Sequence, residues 1–207
     1  MTAPGNEDGY PIPAGEIRVE EEIKHSRFIT SLAPARSAEA ARTFIERVRS
    51  EFPDATHNCW AYAAGPPGST LDTGMSDDGE PGGTAGRPML TVLLNSGAGD
   101  VVAVVTRYFG GVKLGRGGLA RAYGGGVQRA LREVKMGRRI EHVQVSVTVP
   151  WAAIDPVRRA LPSWDATIET ETFGEEARLV VVLPKSRAAG FRREMLDLTA
   201  GKVRFEE

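Results

Sequence analysis

Three short stretches hold the residues best able to do chemistry. The first, Val101–Gly126, reads VVAVVTRYFGGVKLGRGGLARAYGGG, an apolar strand followed by a glycine-rich loop and the start of a helix. From Val101 to Arg132 it and its continuation carry six basic residues, Arg107, Lys113, Arg116, Arg121, Arg129 and Arg132. Glycines let a backbone approach a partner closely or take positive φ, and the basic side chains make an anionic or acidic partner the natural one. The second stretch, SDDGEPGGTAGRP (76–88), places Asp77, Asp78 and Glu80 within four residues. Three carboxylates so close could hold magnesium or act as acid and base. The spacing is not that of an EF-hand, and turn residues or ion pairs to Arg107 and Lys113 account for them as well. The third is His57 with Cys59, two apart on an expected strand and so on one face. A Cys–His nucleophile pair is conceivable, but a buried cysteine packing as a small hydrophobe is the stronger reading.

The glycine loop fails the familiar phosphate signatures. No window supplies G-x-x-x-x-G-K-[ST], and no Ser or Thr follows Lys113 to hold magnesium. Gly115, Gly117 and Ala120 match a dinucleotide fingerprint formally, but the strand ends near Phe109, too early for the tight turn that motif needs. What survives is a helix start near Gly118 whose free N–H groups, with Lys113, Arg116 and Arg121, can hold phosphate or carboxylate. Inside the helix, Gly124, Gly125 and Gly126 each cost about 1 kcal/mol against alanine, which direct packing of the helix backbone would offset.

These stretches sit in a chain of 207 residues, enough for one large domain or two modest ones. A net charge of −1 excludes a generally polybasic binder, so affinity for a polyanion must come from a local patch. A single cysteine excludes an intramolecular disulfide framework. The start MTAPGNEDGYPIPAGE has no apolar signal core and no run approaches 18 apolar residues, so the expected location is cytoplasmic, without membrane contact.

The pattern of elements is α+β. Residues 1–14 read as a flexible arm. Strands are expected over 15–22 and 24–32, then a helix capped by Ser37 and ended by Pro53, and a strand over 55–64. Residues 65–86 read as a long loop, 88–94 as a helix that Thr84 could cap, 100–109 as a doubly buried strand, and 118–135 as a helix stopped by Gly137. A second unit follows: strand 140–149, short helix 154–161, a hairpin of 166–173 and 178–183, helix 185–198 and a last strand 202–205. That β-α-β-β-α-β order is the ferredoxin-like layout. The expected domains are therefore 15–137 and 138–207.

Four segments, KHSRFI (24–29), ATHNCWAY (55–62), SDDGEPGGTAGRP (76–88) and VVTRYFGGVKLGRGGLARAYGG (104–125), together resemble the signature of the YigZ/IMPACT family. Gly82 and Ala120 depart from that family's usual residues, and Arg116 falls at a variable position. The resemblance implies an N-terminal domain like domain 2 of ribosomal protein S5 and a ferredoxin-like C-terminal domain like those of elongation factor G. Similar eukaryotic proteins regulate translation as binding proteins, with partner domains that this chain lacks. The resemblance implies no settled biochemical activity for the two-domain form.

The functional expectation is a non-enzymatic binding protein linked to translation, with RNA or a ribosome-associated protein as partner. Its binding residues would be Arg107, Lys113, Arg116, Arg121 and Arg87 on phosphates, with His57 and Tyr108 stacking or hydrogen-bonding. Asp77, Asp78 and Glu80 would shape the surface. No catalytic residue and no cofactor are assigned. The alternatives are a magnesium-dependent enzyme or binder of a phosphorylated or nucleotide-like ligand, and a module that takes an acidic protein segment.

Overall fold

The computed structural model describes residues 9–206, which divide into a unit Tyr10–Arg139 and a second unit from Ile140 onward. The expected arm therefore lies outside the described residues only up to residue 8. Tyr10–Pro13 is strand β1, antiparallel to a strand at Met136–Arg139, so both fall in the first unit and its boundary moves from 137 to 139. Gly137, expected to stop a helix, lies within that second strand.

The first unit is a five-stranded antiparallel sheet between helices. Its strands are β2 (Ile17–Ile23), β3 (Ser26–Pro34), β4 (His57–Ala64), β5 (Asp72–Ser76) and β6 (Val101–Tyr108), in the spatial order β2-β3-β6-β4-β5. Helix α1 (Ala38–Glu51) starts at Ser37, whose Oγ accepts from the Ala40 N–H at 3.2 Å. Its apolar stripe, Ala41, Phe44, Ile45 and Val48, packs with Val102 and Val104 of β6. The other face of β6, Val101, Ala103 and Val105, packs with α2 (Gly86–Leu94) and α3 (Arg116–Glu133). Strands alternate their side chains between faces, so a central strand covered on both sides must be apolar throughout. That is why β6 reads as a continuous run.

Two helix glycines are contact points. A Cβ on Gly126 would stand 2.4 Å from Thr30 Oγ1 of β3, and one on Gly124 would touch Pro88 and Val92 of α2. Gly125 meets nothing within 4 Å and faces open space. Direct packing thus requires glycine at one of the three costly positions, Gly126, since the contacts at Gly124, 3.6–3.8 Å, are ordinary ones.

The loop expected over 65–86 is shorter than the sequence suggests. Asp72–Ser76 pairs with β4, and Gly74 lies opposite Tyr62, where a Cβ would stand 2.4 Å from the ring. The polar and glycine content hides this edge strand from any periodicity test. The helix after it begins at Gly86 rather than 88, and a Cβ at Gly86 would stand 2.9 Å from the Ser76 backbone, so the residue there must be glycine.

Strand β7 is Met136–Arg139, and the second unit contributes β8 (His142–Val149), α4 (Ile154–Ala160), β9 (Thr167–Phe173), β10 (Ala177–Pro184), α5 (Ala188–Leu198) and β11 (Arg204–Glu206). Its sheet order, β11-β8-β10-β9 with antiparallel neighbours, is the ferredoxin-like arrangement. Its core joins Val145, Val147 and Val149 to Leu179, Val181, Phe191 and Met195. No helix among the described residues is long and apolar enough to cross a membrane.

Candidate functional site

The α2–α3 face of the sheet carries polar groups at its end as well as the core. Odd-numbered positions of β4 and β6 point to this face, which brings His57, Cys59 and Arg107 together beneath Glu80 from the acidic stretch. Arg107 Nη1 donates to Glu80 Oε1 at 2.6 Å, and Tyr123 Oη of α3 donates to the same oxygen at 2.7 Å. Arg107 Nη2 reaches Ser26 Oγ at 3.3 Å. The guanidinium lies between the rings of Phe28 and Phe109, 5.4 Å from each centroid. Arg107 and Glu80 are 5% and 8% exposed, so Arg107 serves first as the buried counter-ion of Glu80. This corrects its expected role as an open phosphate contact: its position on the α2–α3 face of β6, under Glu80, decides the matter.

The acidic triplet divides its labour. Asp77 accepts from the N–H groups of Gly83 at 2.7 Å and of Ala85 and Gly86, both at 2.9 Å. It caps α2 from the far side of the loop, whereas Thr84 bonds back to the Pro81 carbonyl and does not cap. Burial pushes the Asp77 carboxyl up, but the backbone donors of Gly83, Ala85, Gly86 and Thr84 outweigh it and hold the group below its ordinary value. Asp78 pairs with Arg49 and accepts from the Asn58 N–H at 2.6 Å. With Glu80 held by Arg107 and Tyr123, each carboxylate has its own partners, and no metal-holding cluster of His, Cys, Asp or Glu occurs among the described residues.

Replacing Asp77 with Ala is expected to cost about 1–2 kcal/mol, the upper part of the range for a lost helix cap, since three donors lose their acceptor. Because the folded carboxyl is depressed, its contribution is present above the ordinary carboxylate range and is lost as pH falls through the folded value. Urea unfolding of wild type and Asp77→Ala should therefore differ at pH 7, and the difference should shrink as the pH falls below the ordinary carboxylate range. A constant difference would refute the charge-dependent part.

His57 and Cys59 do share a face, yet they do not form a nucleophile pair. His57 Nδ1 donates to the Asp78 carbonyl at 2.7 Å, and Cys59 Sγ donates to the Asp77 carbonyl at 3.0 Å. Cys59 is fully buried, and burial, partly opposed by the neighbouring Tyr123 hydroxyl and reinforced by the carboxylates of Glu80, Asp78 and Asp77, pushes the thiol up to about 12. Such a thiol is inert at neutral pH.

The remaining expected binding residues fall in three places. Tyr108 lies on the other face of β6 from Arg107, donates to Asp54 Oδ1 at 2.8 Å and has the Arg27 guanidinium 5.7 Å from its ring. Lys113 and Arg116 line a cleft of about 360 Å³ with Glu80, Arg107, Phe109 and Leu119, and Arg116 Nη2 donates to the Gly82 carbonyl at 2.9 Å. Arg87 and Arg121 line a second cleft, about 540 Å³, between α2 and α3, floored by Gly124 and Gly125. It shares Thr91, Val92 and Gln128 with a third of about 350 Å³ that ends at Arg132 and Met136, so the two make one groove.

Sequence reasoning missed Ser26, Phe109 and the polar use of Tyr123, which its spacing assigns to the apolar stripe of α3. It also missed Asp77 as a cap, because an acceptor nine residues before the first capped N–H of α2 lies outside every local capping pattern.

The fold and site define an α+β protein of two units, the first presenting basic clefts over a buried ion pair. The Impact N-terminal domain matches residues 24–131, and a domain of unknown function, DUF1949, matches 147–202. IMPACT family member YigZ of Escherichia coli is 42% identical over 196 residues, covering 95% of this chain and 96% of that protein. IMPACT family member YvyE of Bacillus subtilis is 35% identical, covering 94% and 88%. A solved structure described as that of a hypothetical protein aligns with a TM-score of 0.70 at 42% identity over 97% of both chains. The chain belongs to the YigZ/IMPACT family.

Proposed function

We infer that this chain is a non-enzymatic RNA-binding protein acting in translation, and that the α2–α3 groove of the first unit holds a single-stranded segment. The observation that carries the reading is one of charge. Between Pro81 and Arg132 there are seven basic residues, Arg87, Arg107, Lys113, Arg116, Arg121, Arg129 and Arg132, against one acid, Asp100. Asp100 is fully buried, bonded to Tyr10 and Arg139. The groove is therefore lined by Arg87, Arg121 and Arg132 with no carboxylate beside them, in a protein whose net charge is only −1. None of these three guanidinium groups has an ion-pair partner among the described residues. Elsewhere in the unit cations are commonly paired, as Arg18, Arg27, Arg47 and Arg129 are. Gly125 leaves the groove floor open, so a backbone phosphate can approach the helix without meeting a side chain.

Binding of this kind displaces counterions and weakens steeply with salt. For a single-stranded RNA, an Arg87→Ala/Arg121→Ala variant should lower the slope of log K against log salt by about 1.4, the loss of two phosphate contacts. Both side chains are exposed and unpaired, so the melting temperature should hold. Fluorescence anisotropy with labelled RNA at several salt concentrations measures this. Failure of wild type to bind, or an unchanged slope in the variant, would sink the reading.

A further inference from the structure

The Lys113 cleft shares no lining residue with the α2–α3 groove, and its floor is chemically unfinished. Arg107 Nε is buried without any hydrogen-bond partner, the one such side-chain atom among the described residues. Beside it, Glu80 uses only Oε1, which takes the bonds from Arg107 and Tyr123. Arg107, more than nine-tenths buried, thus keeps unused hydrogen-bonding capacity in the lining of the cleft. Leaving such an atom unsatisfied costs about 1–3 kcal/mol, so it is an invitation to a partner.

Around this floor the cleft has two kinds of wall. Phe109, half exposed, covers the Arg107 guanidinium with one face, and Pro81, Leu114 and Leu119 supply the rest of the apolar surface. The rim is cationic. Lys113 has no partner among the described residues, and Arg116 is tied only to a neutral carbonyl. Between them Gly115, φ +72°, precedes α3, which has no side-chain cap and no acid in its first turn. The first N–H groups of an 18-residue helix are thus free to meet an anion, with the helix dipole behind them. A Cβ on Gly117 would meet nothing within 4 Å, so the approach is open.

We propose that this cleft is a binding site for a nucleoside 5′-monophosphate group. The phosphate sits at the start of α3 between Lys113 and Arg116, the base lies in the apolar wall of Pro81, Leu114 and Leu119 beside Phe109, and the base edge faces Glu80 and Arg107. Charge selects the phosphate: the Glu80–Arg107 pair cancels, leaving two cations and a helix terminus to face a dianion. Size selects one nucleotide. At about 360 Å³ the cleft is at the small end of small-molecule sites. The nucleotide can be free or can be the 5′ end of an RNA, and the site does not rest on RNA binding in the α2–α3 groove.

Isothermal titration of the full chain with AMP, GMP, CMP and UMP, their nucleosides and inorganic phosphate tests the proposal. At least one monophosphate should bind with Kd below about 1 mM, and its nucleoside and inorganic phosphate at least about tenfold more weakly. Lys113→Ala and Phe109→Ala should each weaken binding about fivefold or more, with melting temperatures recorded to establish folding. Comparison of 5′-phosphorylated with 5′-hydroxyl RNA then identifies the source. A preference for the phosphorylated end that Lys113→Ala abolishes assigns the RNA terminus, and no preference assigns the free nucleotide. No monophosphate binding, phosphate bound as tightly as nucleotide, or binding unaffected in both variants overturns the proposal. The Arg87→Ala/Arg121→Ala variant should keep the nucleotide affinity, so failure of this site and failure of the groove are separate results.

Discussion

Arg107→Met is expected to destabilise the first unit by about 3–5 kcal/mol, the cost of removing one partner from a buried ion pair. Methionine keeps most of the volume between Phe28 and Phe109, so packing loss is small. What changes is Glu80, whose side chain is 3% exposed and would keep only the Tyr123 hydroxyl as a donor. A carboxylate so placed keeps only His57 Nε2, 3.9 Å away, as a nearby basic group. Urea unfolding should show a lower midpoint at an unchanged slope, since the surface exposed on unfolding is the same. In the double variant Arg107→Met/Glu80→Gln the stranded charge is gone, so the loss should be smaller than in Arg107→Met alone. This inversion separates an ion pair from a packing effect, because a purely steric role for Arg107 predicts losses that add. A cost below about 1 kcal/mol for Arg107→Met would mean that Glu80 finds solvent, contrary to its burial.

The pair also explains which parts of the site were legible in the sequence. The α+β class, the two-unit division and the helix and strand core were readable because Val101–Val105 is an unbroken apolar run and the stripes of α1 and α3 repeat at the helical period. Arg107 sits on the same strand, in phase with Ala103 and Val105, and that phase already placed it on their face of the sheet. Its basic character suggested a phosphate contact, while its position required a buried partner. The partner, Glu80, is 27 residues away, and no local rule names it. Asp77 was visible as an acid but not as a cap, for the same reason. Edge strand β5 and the short strands β1 and β7 gave no periodic signal, being four or five residues rich in Pro, Gly or polar side chains. Local chemistry was legible, and the contacts that decide its use were long-range.

Gly110→Ala is expected to be at least as disruptive, costing about 3 kcal/mol or more, the upper end of what overpacking does. A Cβ at this position would lie 1.9 Å from the carbonyl oxygen and 2.0 Å from the carbonyl carbon of His25, and 2.5 Å from the Ser26 nitrogen. These are backbone atoms in the β2–β3 turn, where Lys24 and His25 already have φ of +48° and +65°. No rotamer change can relieve the clash, so either the turn or the glycine loop must move. The loop is held by the Gly110 N–H donating to Ser26 Oγ at 3.2 Å, and that same oxygen takes Arg107 Nη2. Displacing the loop therefore loosens the Arg107 bracket and shifts Phe109, the ring over the guanidinium. Two consequences follow beyond the fall in urea midpoint. The costs of Gly110→Ala and Arg107→Met should be less than additive, since both disturb Ser26 and its neighbours. Amide exchange should speed up at the β2–β3 turn and the start of the glycine loop while the β4–β6 ladder stays protected, because the strain is confined to one end of the sheet. Uniform acceleration across the unit would instead mean that the turn and the sheet open as one.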